Sequence, residues 1–139
     1  MKTIEKAKKL CQTIHREQFD ENGQVYFDYL ETIAQACFFD EMKIVVYLQD
    51  VTANSAGSAS LNEIRLTFGN EIGDAVDAMT RRMSEAYSAY LLRLKENPLA
   101  FGVMLKNTWH KMQTLVIEYS NELSTAQNHD IDAPEILLA

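Results

Sequence analysis

Across Tyr47-Leu48-Gln49-Asp50-Val51-Thr52-Ala53-Asn54 the chain changes character: an apolar run ends on an acid, and a small, polar segment begins. Upstream, residues 44–48 are apolar without a break, and Met42, Val45, Val46 and Leu48 fit helical spacing with Asp40 as the expected cap. Downstream, residues 52–60 hold only Thr, Ala, Asn, Ser and Gly, the composition of a loop with little to bury. Asp50 therefore stands at the end of a buried helix, where a carboxylate needs a polar partner. The nearest candidates are the amides near Ala53 or Asn54, which it would cap, or the ammonium groups of Lys106 and Lys111.

The segments on either side extend the same helical reading. Ile4, Ala7, Leu10, Cys11 and Ile14 form an apolar stripe for a first helix from Thr3 to about Gln18, with His15 just past its end. A polar turn at residues 19–24 leads to a second helix over about 25–38, with Tyr26, Tyr29, Leu30, Ile33 and Ala34 on one face. After the loop, Ser60 and Glu63 make a capping box for a short helix ending at Phe68-Gly69, and Asn70 starts another carrying Ile72, Ala75, Val76 and Met79. Thr80-Arg81-Arg82 breaks the pattern and Ser84 is the expected cap of the next helix. Asn97-Pro98 opens a long last helix to about Ser124, with Phe101, Trp109, Met112, Val116, Tyr119 and Leu123 among its apolar positions. No stretch alternates with period two, so the expected fold is all-α: a single compact helical bundle of six to seven helices over residues 1–126, with a tail at 127–139.

The 139 residues suffice for one domain with its own core. No apolar run approaches a membrane span, and the N-terminus lacks the apolar block of a signal peptide, so a cytoplasmic, non-membrane protein is expected. A net charge of −7 disfavours nucleic acid and anionic surfaces as partners. Cys11 and Cys37 have no metal-like spacing and read as buried free thiols.

Several short motifs occur in a shared order. They are Ile14-His15-Arg16-Glu17-Gln18, Gly23-Gln24-Val25-Tyr26, the stretch 47–54, Phe68-Gly69-Asn70-Glu71-Ile72 and Met79-Thr80-Arg81. Glu85-Ala86-Tyr87-Ser88-Ala89-Tyr90 follows, then Arg93, Asn97 and Pro98. In this order the chain resembles the HD-domain phosphohydrolases, in particular the small relatives of the hydrolase domain of guanosine-tetraphosphate synthetase/hydrolases. The resemblance runs from about Ala7 to Met112. It implies an HD-like bundle and, in active members, a divalent metal, usually manganese, held by two histidines and two aspartates.

At the implied ligand positions this chain has Tyr29, Gln49, Asp50 and Asn107, so Asp50 is the one ligand type retained. The Glu-Asp pair that would position the attacking water is Ala53-Asn54, and Lys111 stands near the last ligand position. Where relatives carry a base-stacking Arg-Lys pair, the chain has Asp20-Glu21, which repel phosphates. Neutral amides and a single carboxylate compensate a divalent cation poorly, and without the metal no water is acidified.

The resemblance with these substitutions implies a pseudoenzyme, with no cofactor, acting as a binding or regulatory module for a protein or a small ligand. His15, Tyr26, Arg81, Arg82, Tyr87 and Lys106 are the candidate ligand-binding residues. Tyr26, Tyr29, Tyr87 and Tyr90 are expected to fill the space of the former metal, with Gln49 and Asn107 hydrogen-bonded across it. The competing expectation is a divergent metal-dependent phosphohydrolase acting on a nucleotide or phosphoester, with manganese or zinc on His15, Asp28, Asp50 and His110. Self-association is left open by both.

Overall fold

The computed structural model describes residues 3–19, 23–54 and 60–128. Among them the chain is helical: α1 (Thr3–His15), α2 (Tyr26–Gln35), α3 (Asp40–Leu48), the single turn α4 (Val51–Asn54), α5 (Leu61–Phe68), α6 (Asn70–Met79), α7 (Tyr87–Lys95) and α8 (Pro98–Asn128). The only extended pairing described is an isolated bridge between Phe19 and Val25. The all-α bundle expected from the sequence is thus present, with seven helices of eight residues or more besides α4.

The unbroken apolar run explains the architecture. All of Ile44, Val45, Val46, Tyr47 and Leu48 are buried, so the last turns of α3 offer no face to water. A helix that is apolar all round must be enclosed by others. α1, α2, α4 and α6 pack against it, while α5 and α7 pack on α6. Each fully buried Leu, Ile or Val of this core contributes about 1.5–3 kcal/mol relative to exposure.

Local chemistry sets several boundaries. The Ser60 hydroxyl accepts from the Glu63 amide at 3.2 Å, as the capping box requires. Gly69 then serves as C-cap of α5 and N-cap of α6 with φ 97° and ψ 166°, a conformation open in practice to glycine alone. Asn97 Oδ1 accepts from the Ala100 amide at 3.0 Å and Pro98 occupies the first turn of α8, as expected from that pair.

Other boundaries depart from the sequence reading. α1 stops at His15 instead of Gln18, because the Gln18 amide turns back to the His15 carbonyl at 3.0 Å. α2 covers only Tyr26–Gln35, its end closed by the Ala36 and Cys37 amides on the carbonyls of Ile33 and Ala34. Asp40 is the first residue of α3 and Phe39 its N-cap, so the acid favours the helix dipole instead of capping. The start of the expected loop, residues 52–54, coils together with the fully buried Val51 into α4. Ser84 caps nothing: α7 begins at Tyr87 after an N-cap at Ala86, and residues 81–85 are held by a turn from the Arg82 carbonyl to the Glu85 amide at 3.1 Å.

Met1–Lys106 form one compact unit and Asn107–Ala139 a second, with α8 continuing through the boundary. The expected division between body and tail at residue 126 falls inside α8. Residues 129–139 of that tail lie outside the described residues.

Candidate functional site

Within the first unit, buried and half-buried polar groups gather where α1 ends, α2 begins and α3 gives way to α4. The connection from α1 to α2 is pinned by the Tyr26 amide on the Gln18 carbonyl at 2.8 Å, beside the Phe19–Val25 bridge. This brings His15, Gln18 and Tyr26 together from a segment with no regular periodicity. The Tyr26 hydroxyl then donates to a carboxylate oxygen of Asp50 across 24 positions of sequence.

The rings complete the arrangement. His15 meets Tyr26 edge-on with centroids 4.9 Å apart, and Tyr29 stacks on the same Tyr26 ring at 5.9 Å. His15 is fully buried, and its Nδ1 pairs with Gln18 Oε1. His15 Nε2 is buried and has no hydrogen-bond partner among the described residues.

Burial and the adjacent carboxylate disfavour any further negative charge here. Burial, then the Asp50 charge and its hydrogen bond, push the Tyr26 phenol far above its ordinary value, so it stays a donor. Burial first, with Asp50 and Glu31 adding to it, pushes the Cys11 thiol up to about 12. Cys11 and Cys37 are both buried and free, as expected, and Cys11 is no nucleophile at neutral pH. Nearby, Glu31 pairs with Lys8 at 2.5 Å and accepts from the Tyr47 hydroxyl at the outer limit of 3.5 Å.

Asp50, assigned from sequence to the loop amides or a lysine, therefore has the Tyr26 phenol as a partner. The side-chain amide of Gln49, expected to reach across a cavity, donates to the Val46 carbonyl of its own helix at 3.2 Å. Asp28 lies on the exposed side of α2, while His15 is fully buried. Among the described residues no three of His, Cys, Asp and Glu form a group able to hold a metal ion. Asn107, His110 and Lys111 belong to the second unit, and Lys111 is exposed. The side chains of Ala53 and Asn54, and the Asp20-Glu21 pair, lie outside the described residues.

The remaining candidates are engaged by the chain itself. The Arg81 Nε donates to the Glu85 carbonyl at 3.1 Å, and its guanidinium lies 5.5 Å from the Tyr87 ring centre. Arg82 reaches Asp77 at 3.4 Å. Tyr87 is mostly exposed, whereas Tyr90 is half-buried against the core, donates to the Met79 carbonyl at 3.1 Å and lies within reach of the Asp50 charge. Lys106 lies 5.3 Å from the Phe38 ring centre.

Sequence reasoning missed the role of Arg93. Its Nε and one terminal nitrogen fork onto Glu85 at 2.9 and 2.8 Å, and its other contacts reach the carbonyls of Asp77 at 3.1 Å and Thr80 at 2.9 Å. The guanidinium thus caps the end of α6 from α7, and with it holds the Glu85 carboxyl down at about 2. Glu85 and Arg93 are eight residues apart with a helix start between them, so no local period marks the pair.

A groove of about 440 Å³ lies between α1 and α5, lined by Leu10, Ile64 and Phe68 together with Lys6, Lys9 and Glu63.

Comparison with known proteins finds no matching family model and no matching curated protein.

Proposed function

We propose that the chain is a catalytically degenerate member of the HD-like helical proteins and works as a non-catalytic binding or regulatory module. The observation that carries this reading is the partner of Asp50. At the one metal-ligand position that keeps its residue type, the carboxylate accepts from the phenol of Tyr26, and that ring is packed between His15 and Tyr29. A cation there would have to displace a buried charge-assisted hydrogen bond and would find amides and phenols in place of imidazoles. The site has become part of the core, and binding is left to surfaces such as the α1/α5 groove.

The phosphohydrolase alternative needs three or four ligating groups to converge, and the exposed Asp28 and buried His15 do not supply them. The deciding experiment is metal analysis by inductively coupled plasma mass spectrometry. The full chain and Asp50→Ala are measured as purified and after incubation with manganese or zinc. Substoichiometric metal in both supports the binding-module reading. Stoichiometric metal that disappears in Asp50→Ala, together with hydrolysis of a nucleotide or phosphoester, would overturn it.

A further inference from the structure

We draw no further inference here: the strongest candidate, the groove of the first unit between α1 and α5, is lined by the ammonium groups of Lys6 and Lys9 and the carboxylate of Glu63 alike, so its charge selects no occupant, and nothing in the structure shows what covers it.

Discussion

Tyr26 and Asp50 carry the meaning of the candidate site, and their pairing is testable residue by residue. A hydrogen bond to a charged group is worth about 1.5–3 kcal/mol. Tyr26→Phe keeps the ring between His15 and Tyr29 and removes only the hydroxyl, so a loss of that size in urea denaturation is expected. An unchanged midpoint would show that the phenol and carboxylate do not stabilise the fold. Asp50 was singled out from the sequence because an acid at the end of an apolar run needs a partner. The identity of that partner is not legible in the sequence, since Tyr26 is 24 positions away on another helix and no local period links the two. Cys11 offers a second check: with its thiol pushed up to about 12, it is expected to resist a disulfide reagent at pH 8 until the protein is unfolded.

At the scale of elements, two residues hold junctions that helical propensity leaves undetermined. Gly69 joins α5 to α6 at φ 97°, and Gly69→Ala is expected to cost about 1–3 kcal/mol, measured as a lower melting temperature. Arg93 closes the C-terminus of α6 while belonging to α7, through a fork that an ammonium cannot reproduce. Arg93→Lys is therefore expected to lower the unfolding midpoint measurably despite retaining the charge, and a midpoint equal to wild type would argue against the cap. The capping box at Ser60 and the Asn97-Pro98 start were legible because a cap is decided within four residues. Ser84 is not the cap because it lies in the turn from Arg82 to Glu85, which the Glu85–Arg93 pair holds, and that pair is a tertiary contact.

For the whole molecule, the shifted groups set a dependence on pH. Cys11 and Tyr47 are raised to about 12 from ordinary values of 9.0 and 10.0, mainly by burial. Their folded forms prefer to stay neutral, so their contribution is complete below pH 9 and is lost as pH rises toward 12. Glu85 is lowered from 4.5 to about 2, so what it contributes is present above 4.5 and lost as pH falls through 2. A stability plateau from about pH 5 to 9 with a fall on the alkaline side is expected in denaturation series, and a fall beginning at pH 7 would contradict it.

The sequence by itself determined the all-α class, the enclosure of the Ile44-to-Leu48 run and the two buried thiols. Each follows from composition and period over a few turns of chain, where local physics is sufficient. Only the tertiary structure decided that Tyr26 answers Asp50, that Arg93 closes α6, and that Asp28 and His15 stand in different environments. Those outcomes depend on which distant side chains the packing of helices around α3 brings together, and a one-dimensional pattern holds no record of that choice.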